Sequence, residues 1–283
     1  MAESEGLELP ENVKDIGIAI GSVIIVFLLT FAYSGNWPPM VVIESGSMEH
    51  DDNPLYSEPK YSHIGIIDTG DLVVVKEAEK SDIVTYLQGK KTDYKKYGDY
   101  GDVIVYYKNG IKEYEGNPVT PVIHRAMAWV EVLEEPKDMD GDNITDYYYI
   151  PEIETYFGSK IEFSEIGLSG GAHLKNLENS GYITKGDSTG NPHPDQLTHR
   201  DINNNPVQPV DPDWVVGMAR GELPWFGLIK LKVTQPDNYD QAPSGCKSML
   251  WISIIVILVG PYSVGKMLEV RDQRTKLAKK KEE

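Results

Sequence analysis

The chain has 283 residues, 40% of them hydrophobic, enough for one substantial globular domain with something left over. Its 44 acidic residues against 27 basic ones give a net charge of −17, which excludes nucleic acid as a partner recruited by charge. A single cysteine, Cys246, excludes an intramolecular disulfide, so the fold must rest on its core.

Residues 1–15 carry five acids and one Lys, and the run Ile16 to Tyr33 that follows has 18 residues without a charge. That length is near the lower limit for spanning a bilayer, and a transmembrane helix is expected over 16–33. A cleavable signal peptide is the alternative, with Ala32-Tyr33-Ser34 offering small residues two apart, but the acidic start is the opposite of a basic leader. The segment Ser34 to Met40, with Trp37, Pro38 and Pro39, suits a chain leaving the bilayer at headgroup level. Ser47 follows Tyr33 by 14 residues, so it is tethered within about 45 Å of the membrane even in a fully extended chain.

Val41-Val42-Ile43-Glu44-Ser45-Gly46-Ser47-Met48 places a hydroxyl on a Gly-loosened turn after an apolar strand. A Ser in that setting can present its Oγ and its own N–H to one carbonyl, as acyl transfer requires. Ser-Gly-Ser is also common in loops where the hydroxyls only satisfy local backbone.

Gly70 to Lys76 and Gly101 to Lys108 each read as a turn feeding an apolar strand, with the charged, Tyr-rich stretch Glu77 to Tyr100 between them as a surface excursion. Val119 to Leu133 reads as a strand pair or bent strand with an edge or bulge at Pro121. Residues 134–180 form an insertion whose Asp138, Asp140, Asp142 and Asp146 surround Gly141. Aligned on that glycine, an EF-hand loop would need Pro136 and Tyr147 as ligands, so the calcium pattern fails. A helical turn is expected over Leu174 to Asn179, and strands over Tyr182 to Lys185 and Trp214 to Val233. No long amphipathic helix interrupts the 34–248 segment, which is expected to be an all-β extracytoplasmic domain.

Met249 to Gly265 is a second apolar run, expected to be a second transmembrane helix, and 266–283 is a tail with seven Lys/Arg. The positive-inside rule puts this tail, and with it the N-terminus, in the cytoplasm. Between the spans stand 19 bases and 35 acids, a net charge of −16.

Of the six histidines (His50, His63, His124, His173, His193 and His199), His124 lies in a strand-like apolar run beside Arg125. A neutral imidazole held there is a suitable acceptor for a Ser proton, and a carboxylate would orient it. Asp187, in the turn Lys185-Gly186-Asp187, and Asp195 are the candidates. His193, Asp195 and His199 are an alternative set of metal ligands, but a Pro-broken loop gives their spacing no fixed geometry, and no metal or other cofactor is expected.

Taken in order, Ser45-Gly46-Ser47-Met48 after a membrane helix, Gly101 to Tyr106, Val122-Ile123-His124-Arg125, Thr184 to Asp187 and Val216 to Pro224 resemble the boxes of type I signal peptidases, in their archaeal and endoplasmic-reticulum branch. The resemblance covers about half the chain and implies a signal-peptidase-like mixed β fold. It implies Ser47 as nucleophile, His124 as base where the bacterial branch has Lys, and an oxyanion hole of the Ser47 N–H and the Ser45 hydroxyl. Asp187 takes the family's Gly-Asp position. Asp195 follows later than the family's second Asp would, which leaves open which carboxylate orients His124.

The implied activity is removal of signal peptides from secretory preproteins at the outer membrane surface, after small residues at the first and third positions before the cleaved bond. Val41, Val42, Ile43 and Glu44 are one expected substrate-binding wall, and Asp102, Val103 and Ile104 are the other. The implied partners are preproteins, the bilayer and the translocation machinery, and the implied setting is an archaeal cell membrane rather than the endoplasmic reticulum. The non-enzymatic alternative is a membrane-anchored β scaffold, including a peptidase-like domain that has lost activity.

Overall fold

A computed structural model describes residues 11–50, 64–168 and 171–279. The N-terminal segment through Pro10, His63 and the last four residues of the tail lie outside them. In chain order the elements are α1 (Glu11–Ser34), β1 (Met40–Val42), β2 (Leu72–Lys76), α2 (Tyr86–Thr92), β3 (Val103–Tyr106), β4 (Val122–Lys137), β5 (Asp146–Ile150), β6 (Thr155–Phe157), β7 (Gly181–Lys185), α3 (Asp195–Thr198), β8 (Val215–Leu223), α4 (Leu228–Thr234), α5 (Pro236–Gln241) and α6 (Ser244–Lys279). Short hairpins and 3-10 turns fill the connections.

The eight strands make one antiparallel sheet in the order β1-β2-β8-β3-β4-β5-β6, with β7 also paired to β4. β4 is the strand around which the rest is built. Its start pairs with β3, its middle with β7 and its end with β5. Every residue from His124 to Val130 is buried, so both faces of this strand are covered. Its Ala126 and Trp129 pack with Ile104, Tyr106 and Tyr182, while Val103 packs with Ile43, Met48 and Val73 in a separate cluster.

The stretch between β2 and β3 is less of a surface excursion than its charge suggests. It holds α2, capped by Thr85, and the Lys95–Tyr100 hairpin, and it buries Ile83, Thr85 and Leu87. The 134–180 region packs Tyr148, Ile150, Phe157, Ile161 and Phe163 against Met127, Ala128 and Val130 of β4, so it extends the same core. The expected helical turn at Leu174 is instead a two-residue strand, His173–Leu174, paired to Ile161–Glu162.

α1 carries an apolar window, Gly17–Ser34, long enough to cross a membrane. Its end is sewn to the sheet: Glu77 N–H donates to the Ser34 carbonyl at 2.8 Å, and Asn36 Nδ2 donates to the Val216 carbonyl at 3.0 Å. Trp37 sets its edge against Phe27 and Phe31 of the same helix, with centroids 5.7 and 5.6 Å apart. α6 is bent by 40° between Gly260 and Gly265, and of the two helices only α1 is long and apolar enough to span as a single straight element.

Candidate active site

Ser47 sits in the one-turn 3-10 helix Gly46–Met48 directly beyond β1. Ile43 and Met48, 2% and 1% exposed, anchor the chain on either side of it, while Glu49 accepts from Thr69 Oγ1 at 2.7 Å. The turn's own hydrogen bond runs from Glu49 N–H to the Gly46 carbonyl and leaves the Ser47 N–H outside the turn's bonding. Ser45 Oγ lies 3.4 Å from Ser47 Oγ.

Strand alternation decides what meets Ser47. His124 and Arg125 are neighbours on β4 and therefore point to opposite faces. His124 Nε2 lies 3.0 Å from Ser47 Oγ, and its Nδ1 lies 2.7 Å from Asp195 Oδ2. A carboxylate only accepts, so Nδ1 carries the proton and donates to Asp195, which leaves the Nε2 lone pair for the Ser47 hydroxyl. Asp195 is fully buried at the start of α3, where Tyr106 and Thr184 also donate to Oδ2, at 2.6 and 2.7 Å. Burial alone would push this carboxyl up, but His124 and His199, one against each of its oxygens, hold it well below the usual range. Burial and the Asp195 charge push the Tyr106 hydroxyl well above 10, so it stays a donor.

Asp187 does not touch His124. It accepts from Arg125 Nε at 2.8 Å and from a second guanidinium nitrogen, and His50 Nε2 lies 3.2 Å away. Arg125, 1% exposed, also donates to the carbonyls of Lys96, Tyr97, Tyr100 and Gly101. Burial would raise Asp187, but Arg125 and His50 hold it well below the usual carboxylate range. The turn around it still serves Ser47: Ser188 N–H donates to the Ser47 carbonyl at 3.0 Å. Gly186 is required because a Cβ there would lie 2.4 Å from that carbonyl and 3.0 Å from His124 Nε2.

A cleft of about 430 Å³ opens over Ser47 and His124, and a neighbouring one of about 450 Å³ extends it. Val42 and Glu44 line both on one side, Thr120, Pro121 and Ile123 on the other, with Val41 in the second cleft and Ile43 in the first. The expected second wall is therefore wrong in its residues. Val103 and Ile104 are fully buried in a strand paired on both edges, by β8 and β4, and have no free backbone to offer. Asp102 is fully buried as well, accepting from Val84 N–H, Tyr94 Oη and Arg220.

Tyr106, Thr184 and Arg125 are the site residues to which the sequence gives no role, and Asp187, expected as a candidate to orient His124, instead pairs with Arg125. The motif boundaries contain all of them, but only the register of β3 and β7 against β4 says which face each one serves. Of the alternative metal ligands, His193 packs against Phe163, away from the other two, whereas His199 reaches Asp195. Asp138, Asp140 and Asp146 do cluster, yet their oxygens accept N–H groups of their own loop from Gly141, Asp142, Asn143 and Met139. No family model, curated protein or solved structure matches the chain.

Proposed function

We propose that the chain is a membrane-bound serine endopeptidase of the signal-peptidase type, removing N-terminal signal peptides from secretory preproteins. The observation that carries this reading is the contact chain Ser47 Oγ to His124 to Asp195 at the floor of an open cleft. Ser47 attacks the scissile carbonyl, His124 Nε2 takes its proton and returns it to the leaving amine, and Asp195 holds the imidazole tautomer and the imidazolium. The Ser47 N–H, with the Ser45 hydroxyl turned from Ser47 to the substrate, stabilises the tetrahedral oxyanion.

An extended peptide enters between the backbone of residues 41–44 and 120–123. β1 pairs with a sheet neighbour on β2 alone, and β7 joins β4 only from Arg125 onward. The peptide adds as a strand there, with alternate side chains facing Val and Ile. The short tie between α1 and the sheet holds this cleft near the bilayer, where the bond just past a membrane-inserted apolar segment is presented.

In this reading α6 forms a second span despite its bend, its basic tail and the N-terminus lie in the cytoplasm, and the sheet faces outward. The setting is an archaeal cell membrane rather than the endoplasmic reticulum. The decisive experiment incubates a test preprotein with the purified chain and with Ser47→Ala. Cleavage by the first and none by the second is expected, and equal cleavage by both removes Ser47 as nucleophile.

A further inference from the structure

His199 has no part in the mechanism above, although it lies against its centre. Its ring stacks on that of His124, centroids 5.7 Å apart and planes 25° apart. The two imidazoles turn the same nitrogen to opposite oxygens of one carboxylate, His124 Nδ1 at 2.7 Å from Oδ2 and His199 Nδ1 at 3.0 Å from Oδ1. The second contact has the distance of a hydrogen bond without its angle: Asp195 Oδ1 and His199 Nδ1 are both buried and lack a hydrogen-bond partner among the described residues. Two adjacent lone-pair atoms left this way beside a third are a donor set short of a cation.

We propose that His124, Asp195 and His199 form an inhibitory site for a zinc-class divalent cation, and that metal binding switches His124 to the tautomer unable to act as a base. Each residue offers a ligand atom within 4.8 Å of the others. Tetrahedral zinc with bonds of about 2 Å sets its ligand atoms roughly 3.3 Å apart, so only small side-chain shifts are needed. Two imidazoles and one carboxylate select zinc over magnesium or calcium, which prefer oxygen. Tyr106 and Thr184, already bonded to Asp195, orient the carboxylate as outer-sphere donors. His199, 29% exposed and lining the cleft, is the entry.

The inhibition follows from proton bookkeeping. Free His124 carries its proton on Nδ1 and offers the Nε2 lone pair to Ser47. A metal on Nδ1 takes the lone pair there, so the proton leaves Nδ1 and is carried on Nε2, facing Ser47 Oγ. Ser47 then meets a donor where it needs an acceptor. Because the ion sits behind His124, on the side of Asp195, substrate still binds.

The site itself does not depend on the peptidase reading, but its regulatory consequence does. Cobalt(II) is the spectroscopic probe: the visible absorption of four-coordinate cobalt, displaced by Zn2+, is expected in the intact chain and in Ser47→Ala. It should be lost in His199→Ala and in the near-isosteric His199→Gln, with thermal melts showing both folded. On a test preprotein, micromolar Zn2+ should lower kcat by about a hundredfold with KM roughly unchanged, the scale of losing a general base. Mg2+ at the same concentration should do nothing, and chelation should restore the rate. A missing cobalt spectrum, a spectrum that survives in both His199 variants, or a kcat untouched by saturating Zn2+ overturns the proposal. If no preparation cleaves the preprotein even without zinc, the peptidase reading fails, and the cobalt spectrum still decides the site.

Discussion

Two buried aspartates, each beside a histidine, lie back to back across β4, and they differ in what completes them. His124 meets Asp195 on one face, and the third member is Ser47 at the cleft floor. On the other face Arg125 meets Asp187, and the third member is His50, with five carbonyls of the β2–β3 connection around the guanidinium. Both carboxylates are buried, and both are held far below their usual range. A depressed, buried carboxylate beside a histidine therefore does not by itself mark catalysis. What separates the pairs is an adjacent nucleophile and an opening, present on the first face, against a permanent cation on the second. In the proposed mechanism the first arrangement moves a proton; the second ties a loop to the strand.

The largest expected effects test the first face. Ser47→Ala and His124→Ala should each lower kcat by about 10⁴-fold or more without unfolding the protein, and the double variant should be no worse than either alone, because the residues act as a unit. Additive losses in the double variant would mean that the two do not share one proton-transfer step.

Exchanging the aspartates breaks the comparison most directly. Asp195→Asn should cost roughly 10³-fold or more in kcat, since an amide cannot hold the imidazole tautomer or stabilise the imidazolium. Asp187→Asn should instead cost about 3 kcal/mol or more of unfolding free energy, because it leaves the Arg125 charge buried and uncompensated. Its effect on kcat in the folded fraction should be far smaller than that of Asp195→Asn. Denaturant unfolding and single-turnover cleavage on both variants measure this, and the reverse pattern would exchange the two roles.

That exchange is also where the sequence is least legible. Ser47 and His124 stand out because residue type and local pattern suffice: a Gly-loosened turn after a strand, and a histidine within an apolar run. The sheet-rich class and the N-terminal helix are readable from periodicity and an uncharged run for the same reason. Choosing between Asp187 and Asp195 needs something that no spacing supplies. Alternation along β4 sends His124 and Arg125 to opposite faces, but which face Asp195 joins depends on the path of the loop after Gly186 and on Thr184 lying opposite Ala126. The expected substrate wall at Val103 and Ile104 fails for a related reason. Val103 and Ile104 look like an apolar strand whether it is at an edge or in the centre, and only the pairing order shows β3 enclosed on both sides.

In the proposed function the substrate lies on one side of β4, which sharpens a specificity test. A peptide laid against residues 41–44 and 120–123 points its first and third residues before the scissile bond into shallow walls of Val and Ile. Replacing Ala by Phe at either position should suppress cleavage about 100-fold, corresponding to ~3 kcal/mol of differential transition-state binding. The same change at the intervening second position should matter much less. Equal tolerance at all three positions in a steady-state assay would exclude strand addition and leave Ser47 unaffected as nucleophile.

The smallest effect belongs to the second face and appears in stability alone. Burial pulls the His50 pKa down, but the hydrogen bond and charge of Asp187, with Asp99 adding and Arg125 opposing, bring it above its ordinary 6.5. A histidine raised in the folded state contributes stability that is fully present below that ordinary value and is lost as pH rises through the raised one. Asp187 has the opposite sign: being depressed, it contributes above its ordinary 3.8 and loses that contribution as pH falls through the depressed value. Both contributions are present together only from mildly acidic pH up to the titration of His50. Thermal melts of wild type and His50→Asn at about pH 5 and about pH 8 isolate the histidine part, since the Asp187–Arg125 pair is ionised at both. Wild type should lose more of its Tm than His50→Asn between these conditions, with the difference between the two proteins largest on the acidic side. Parallel pH slopes would mean that His50 is held by packing rather than by its charge, and would leave Arg125 as the only cation engaged by Asp187.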